Sequence, residues 1–181
     1  MIDDPDAELV VRAGRGDRAA AQALMARHLP KMMTLARRML SDRGEAEDAV
    51  QDAFLRLWTH AARWEPGKAK FETWLYRVTL NQCYDRLRRR IPANLDEAVE
   101  IADTAPNPET SLGNAAIAAQ IERAISDLPE RQRAAILLCH YQECGNIEAA
   151  EILGISVEAL ESLLARGRRT LRAQLAHLKN S

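Results

Sequence analysis

Apolar residues recur along this chain at the spacing of helix faces, and nowhere in long runs at the alternating spacing of strands. Between residues 17 and 40, Ala21, Leu24, Met25, Leu29, Met32, Leu35, Ala36 and Met39 fall three and four apart, which predicts an amphipathic helix. Pro30 interrupts that run and marks a place for a kink. Ser41, Asp42 and Gly44 then mark a turn and a fresh helix start. The next helix, over 45–62, is the most regular: Ala46, Ala49, Val50, Ala53, Phe54, Leu57, Trp58 and Ala61 form one stripe. A basic loop with Arg63, Trp64, Pro66, Gly67, Lys68 and Lys70 follows, punctuated by its Pro-Gly pair. A further helix runs from about Phe71 to Arg90 and stops before Pro92, because proline disfavours helix in the residue ahead of it.

From Ile91 to about Gly113 the pattern lapses. Pro92, Pro106, Pro108 and five acids (Asp96, Glu97, Glu100, Asp103, Glu109) occur there without a Lys or Arg, the signature of a linker disordered in part or whole when free. Helical spacing returns over 114–126 and 130–143, with Pro129 at the start of the second, where its missing N–H costs little. A shorter pair, 147–153 and 157–177, is joined by Gly154, Ile155 and Ser156. The expected fold is all-α: two small helical domains, 1–91 and 114–181, joined by an acidic, proline-containing linker over 92–113.

Composition agrees, with 47% hydrophobic residues, only 4% aromatics, 8 Gly and 7 Pro. The net charge of -1 looks wrong for a partner of DNA, but the charges are segregated. Residues 1–90 carry 17 Lys and Arg against 13 Asp and Glu, residues 91–122 none against 6, and residues 123–181 carry 8 against 7. Local basic patches, rather than the average, decide where phosphate is attracted. The cysteines, Cys83, Cys139 and Cys144, are odd in number and follow no secretory leader, which points to reduced thiols in a cytoplasmic protein.

Three segments carry candidate chemistry. Ala150, Gly154, Ile155, Val157, Leu160 and Leu164 have the spacing of a helix-turn-helix, with Ser156 as N-cap of its second helix. That helix carries Arg166, Arg168, Arg169 and Arg172, suited to phosphate or guanine; a plain helical hairpin with a solvated basic face fits the same spacing. On helix 45–62, the face away from the apolar stripe holds Asp48, Gln51, Asp52 and Leu55. Solvent accounts for the polar members, but Leu55 suits a protein partner. Residues 63–90 hold five of the eight aromatics (Trp64, Phe71, Trp74, Tyr76, Tyr84), interleaved with Lys68, Lys70, Arg77, Asn81, Arg86 and Arg88. Aromatic faces that stack on unpaired bases, beside cations that track the backbone, suit single-stranded nucleic acid. Trp74 and Tyr84 fit a core equally well, whereas Trp64 sits in the basic loop. Cys139 lies beside the apolar run Ile136-Leu137-Leu138 and reads as a buried core thiol; with His140 and Cys144 it makes too small a set for a metal. There is no Ser/His/Asp set or phosphate-binding glycine loop, so no catalytic residue, metal, cofactor or small-molecule substrate is expected.

The run AEDAVQDAFLRLW from Ala46 to Trp58 resembles the core-polymerase-binding helix of the extracytoplasmic-function (group 4) sigma factors of the sigma-70 family. FETWLYRVTLN from Phe71 to Asn81, with DRLRRR from Asp85 to Arg90, resembles their promoter-melting and −10-reading segment, and residues 149–172 resemble their −35-reading helix-turn-helix. The three lie in the family's order across nearly the whole chain. The resemblance implies that Asp48, Gln51, Asp52 and Leu55 dock on core RNA polymerase, whose contacts are the clamp helices of the largest subunit and the flap. It implies −10 DNA contacts from Trp64, Lys68, Lys70, Phe71, Arg77, Asn81 and Arg88, with loop 63–70 holding a flipped base. It implies −35 contacts from Ser156, Glu161, Ser162, Ala165, Arg166, Arg168 and Arg169, and control by an anti-sigma factor, often membrane-bound. The chain departs from the family at Glu161 and Leu163, where basic residues are usual. A carboxylate there repels phosphate but can accept from cytosine N4, and Leu163 would cover an apolar partner. The competing reading is a stand-alone helix-turn-helix regulator, which has no need of helix 45–62 or of the aromatic-basic helix.

Overall fold

The computed structural model describes residues 3–93 and 112–176, with side chains described for 3–90 and 115–176. Among these residues all regular structure is helical, and no helix is long and apolar enough to cross a membrane. The expected linker at 92–113 lies almost wholly outside them.

The first half is α1 (Ala7–Gly14), α2 (Arg18–Leu40), α3 (Arg43–Ala61) and α4 (Phe71–Ala93). Asp17 opens α2 by accepting from the backbone N–H groups of Ala19 and Ala20, at 2.9 and 3.2 Å. Asp42 opens α3 by accepting from that of Glu45 at 2.8 Å. Such caps satisfy donors that a helix start leaves unpaired. Ser41, at φ 56, makes the sharp turn expected between them. Helix α2 runs through Pro30 as one element, tolerating the lost backbone bond and the crowding of the ring against the preceding turn; Thr34 Oγ1 donates to the Pro30 carbonyl at 2.9 Å. Helix α4 also outruns the expected stop at Arg90 and ends at Ala93, with Pro92 in its last turn. The restriction proline places on its neighbour is a tendency, overcome here one turn from the end.

Helix α1 was not anticipated. It packs on α2 and α3 through Val10, which is fully buried. Its last residue makes a close approach: a Cβ on Gly14 would lie 2.4 Å from the Ala61 carbonyl oxygen. Backbone cannot yield as a flexible side chain can, so Gly14→Ala is expected to destabilise the chain by about 1–3 kcal/mol. Denaturant titration checks this; a change below about 0.5 kcal/mol would show that α1 shifts freely.

The second half is α5 (Leu112–Ser126), α6 (Glu130–Ile136), a π-helical turn (Leu137–Tyr141), α7 (Asn146–Leu153) and α8 (Val157–Gln174). The single helix expected over 130–143 thus widens at Leu137, where a π turn inserts into the ladder. Leu128, Ala134, Ile136, Leu137, Leu138, Ile152, Leu160 and Leu164 are buried there, as Leu24, Met32, Leu35, Met39, Val50, Phe54, Leu57, Leu75 and Leu80 are in the first half. Both sets belong to one continuous apolar cluster, because α2 packs on α5, α6 and the π turn while α4 packs on α7.

Candidate functional site

Three surfaces follow from this scaffold. On α3 the apolar stripe faces α1, α2 and α4, which leaves Asp48, Gln51 and Leu55 on the solvent side. Leu55 is 54% exposed and Trp58, one turn further on, 37%. Asp52 shares this face but is half-buried, its Oδ2 accepting from Arg86 Nη2 of α4 at 2.7 Å. Arg86 also donates through Nη1 to the carbonyl and the side-chain oxygen of Gln82, both at 3.2 Å. Arg86, expected among the cations that track a strand, is thus committed to joining α3 and α4.

The loop after α3 carries Trp64, half-buried and edge-on to Phe71 and Trp74, with ring centroids 5.9 and 6.0 Å away. Its indole N–H is buried with no hydrogen-bond partner. Phe71 requires a correction. It is fully buried, edge-on to His28 at 5.3 Å, so it supports the loop from beneath and has no face to offer a base. Asp4 holds it there, accepting from its backbone N–H at 2.9 Å. Trp74 and Tyr84, which fitted a core, are half-buried, and burial pushes the Tyr84 hydroxyl up to about 12. Lys68 and Lys70 are exposed, Lys68 beside Glu65. Arg77, Asn81 and Arg88 are exposed along one side of α4. Arg88 pairs with Asp85, and Arg77 Nη2 donates 2.6 Å to the Glu151 carbonyl of α7.

The third surface is α8. Gly154 takes the left-handed conformation (φ 65) that closes α7, and Ser156 Oγ accepts from Ala159 N–H at 3.1 Å to open α8. Leu160, Leu164 and Gly167 then face inward, and Gly167 meets Ile136 so closely that a Cβ would stand 3.1 Å from its Cγ1. Ser156, Glu161, Ser162, Ala165, Arg166, Arg168 and Arg169 are all exposed. Leu163 is half-buried against the chain's own core, not offered to a partner.

Arg168 and Glu161 also border a cavity of about 490 Å³ with Cys139, His140 and Cys144. No group of three His, Cys, Asp or Glu among the described residues could hold a metal. Cys139 is half-buried, less enclosed than expected, because the widened turn sets it at the cavity edge. Burial pushes all three thiols up, Cys83 and Cys144 to about 12. Thiolate is the reactive form, so Cys139 is expected to be labelled first by a thiol reagent at pH 8, and Cys83 only on unfolding. Native-state labelling of Cys83 as fast as Cys139 would contradict that burial.

Residues 24–91 match the family model described as Sigma-70 region 2, and residues 118–171 match Sigma-70, region 4. The chain is 32% identical to the ECF RNA polymerase sigma factor SigE of Mycolicibacterium smegmatis, an alignment covering 96% of this chain and 69% of that protein. It is 32% identical to the ECF RNA polymerase sigma factor SigW of Bacillus subtilis, covering 91% and 93%. Among solved structures it is similar to CnrH in complex with the cytosolic domain of CnrY (TM-score 0.72, 28% identity, 96% of this chain and 99% of that one). The sigma factor RpoE in complex with the anti-sigma factor NepR, from Bartonella quintana, is similar too (TM-score 0.72, 25% identity, 86% and 96%).

Proposed function

The chain belongs to the extracytoplasmic-function sigma factors of the sigma-70 family, and from that premise we propose how its three surfaces divide the work of initiation. It binds core RNA polymerase and directs it to promoters as a DNA-binding regulatory factor, with no covalent chemistry of its own. The solvent face of α3 (Asp48, Gln51, Asp52, Leu55) docks on core. The loop around Trp64, with Lys68, Lys70, Arg77, Asn81 and Arg88, captures the opened −10 strand, Phe71 serving only as its buried support. The outward face of α8 reads the −35 element. The domains are 1–91 and 114–181. The protein works in the cytoplasm with polymerase, and an anti-sigma factor holds it inactive, as the partners of the similar structures suggest.

The observation that carries this division is the placement of α8. Its apolar side is locked onto α6, and its arginines point outward from a turn built by Gly154 and Ser156. Run-off transcription with purified core tests the reading. Transcripts should appear only when both chain and core are present; tight duplex binding with no core-dependent transcript would favour a stand-alone regulator. Arg166→Ala is expected to cut run-off about tenfold on a promoter with an intact −35 element, and much less on one without it, since a base-reading arginine supplies about 1–3 kcal/mol of discrimination. An equal loss on both templates would assign Arg166 to phosphate.

A further inference from the structure

The cavity of about 490 Å³ beside α8 has two of the chain's three thiols in its lining. Cys139 belongs to the π-helical turn, and Cys144 directly precedes Gly145, the N-cap of α7. The local backbone brings them together. Glu143, between them, takes a left-handed conformation (φ 56), which is uncommon for a residue with a side chain, and it ends the π turn. Such an ending sets the side chain that follows it against one in the last turn, here Cys144 against Cys139. The Cys144 N–H donates at 3.0 Å to the Leu138 carbonyl, whose carbon is bonded to the Cys139 nitrogen. Standard backbone lengths then hold the two Cα atoms within about 7 Å. A disulfide spans Cα atoms about 4.4–6.8 Å apart.

Two apolar side chains would make that helix-end contact as well as two thiols do. The surroundings of the pair go beyond packing. Cys139 is half-buried at the cavity edge; burial pushes its thiol up, and the Arg168 guanidinium opposes that by favouring the thiolate. A nucleophilic thiol needs partial access and a neighbouring cation, whereas a packing residue needs neither. Cys144 is 8% exposed, and burial, with the carboxylates of Glu148 and Glu72, pushes its thiol up to about 12. It suits the second sulfur of a pair, which reacts only once the first has been oxidised. The other side of the cavity is Glu161, Leu164, Ala165 and Arg168 of α8, so the thiols stand against the helix assigned to the −35 element. Cys83, fully buried in the first half, is a built-in control.

We propose that Cys139 and Cys144 form a modification site, which a hydroperoxide converts to a reversible disulfide that disturbs −35 reading by α8. The effect on reading rests on the proposed division of roles; the disulfide does not. The Cys139 sulfur, as thiolate, attacks one peroxide oxygen and the O–O bond breaks. Cys139 becomes a sulfenic acid, and the other oxygen leaves with the thiol's proton as an alcohol, or as water from hydrogen peroxide. The Cys144 sulfur then attacks the Cys139 sulfur. The S–S bond forms, the S–O bond breaks, and the hydroxyl leaves with the Cys144 proton as water. Two electrons have passed from the sulfurs to the peroxide. Thiol reductants of the cytoplasm reverse the change. The bond draws both sulfurs inside nonbonded contact by more than about an ångström, and a binding face tolerates displacements of only about 0.5 Å. The surface beneath Leu164, Ala165 and Arg168 changes with it.

The test treats the full chain with hydrogen peroxide, alkylates it and cuts it with trypsin without reduction. Cys139 and Cys144 lie on one tryptic peptide, Ala134–Arg166, and Cys83 on another. The first peptide should emerge unalkylated and lighter by two hydrogens, with Cys83 still a thiol, and dithiothreitol should restore both thiols. Cys144→Ala should leave a sulfenic acid at Cys139, trapped by dimedone, and no disulfide. The oxidised chain, freed of peroxide before core polymerase is added, should give at least about fivefold less run-off from a promoter with an intact −35 element, the equivalent of one lost base contact. Dithiothreitol should recover it, and Cys144→Ala after the same treatment should transcribe as before. No disulfide on that peptide, or pairing with Cys83 or between chains, would overturn the proposal. A disulfide that leaves run-off within about twofold, or one that abolishes the helical circular dichroism, would overturn its effect on α8. Absence of core-dependent transcription from the reduced wild-type chain would instead overturn the division of roles, whatever the peptide map shows.

Discussion

Asp6→Ala is expected to lower stability by about 3 kcal/mol. Asp6 is 2% exposed, and its Oδ2 lies 2.7 Å from Nε2 of the buried His28. Its Oδ1 accepts from Arg27, whose side chain is half-exposed and can turn to water when the carboxylate is gone. The loss therefore falls mainly on His28. Its Nδ1 already lacks a hydrogen-bond partner, the nearest carboxylate oxygen of Glu72 being 3.9 Å away, so the substitution strips its remaining bond. In a chain of this size that corresponds to a fall in Tm of about 6–12 °C. Asp6→Asn, which keeps one acceptor oxygen, should lose about half as much. Thermal unfolding followed by circular dichroism measures both; a fall under about 2 °C for Asp6→Ala would show that water or Glu72 replaces the carboxylate. The consequence reaches the functional surface. Helix α1 braces the end of α3 through Gly14, and Asp4 caps α4 at Phe71, so freeing α1 loosens the loop that carries Trp64.

That network shows what a linear reading misses. Asp4 and Asp6 stand in an acidic N-terminal stretch that looks solvated, and only the approach of α2 brings Arg27 and His28 to them. Apolar spacing located α2, α3, α7 and α8 because each buries most of one stripe, Met25, Leu29 and Trp58 being the members left exposed, and the caps Asp42 and Ser156 were visible since capping acts within three residues. Phe71 was misplaced for a related reason. An aromatic among cations carries the same letters whether it stacks on a base or packs edge-on against His28, and burial against α2 decides it. Pairs such as Arg86 with Asp52, or Arg38 with Glu122, join residues 34 and 84 positions apart. No periodicity encodes such separations. The outward faces of α3 and α8 were legible because exposure is the complement of a stripe; the contact of α4 with α7 was not.

Leu55→Asp is expected to weaken association with core polymerase at least about 30-fold while leaving the free chain intact. The asymmetry follows from where the leucine sits. It is 54% exposed on α3, so removing it from the free chain forfeits little contact, within about 0.5 kcal/mol. In the complex, burying a leucine contributes about 2 kcal/mol, and a carboxylate in its place must also be desolvated. Two kilocalories per mole alone is a factor of about 30 in Kd. Asp52 makes a poorer probe despite lying on the same face. Asp52→Arg would both break the pair with Arg86 and set two guanidinium groups together, so lost binding and a disturbed α3–α4 packing would be mixed. Asp48→Arg is cleaner, since Asp48 is exposed, and it should act chiefly on the association rate and its salt dependence. Titration of labelled core with each variant separates these effects, and unfolding curves and −10 oligonucleotide binding by the free chain serve as controls. If Leu55→Asp binds core within about threefold of wild type, the solvent face of α3 is not the docking surface.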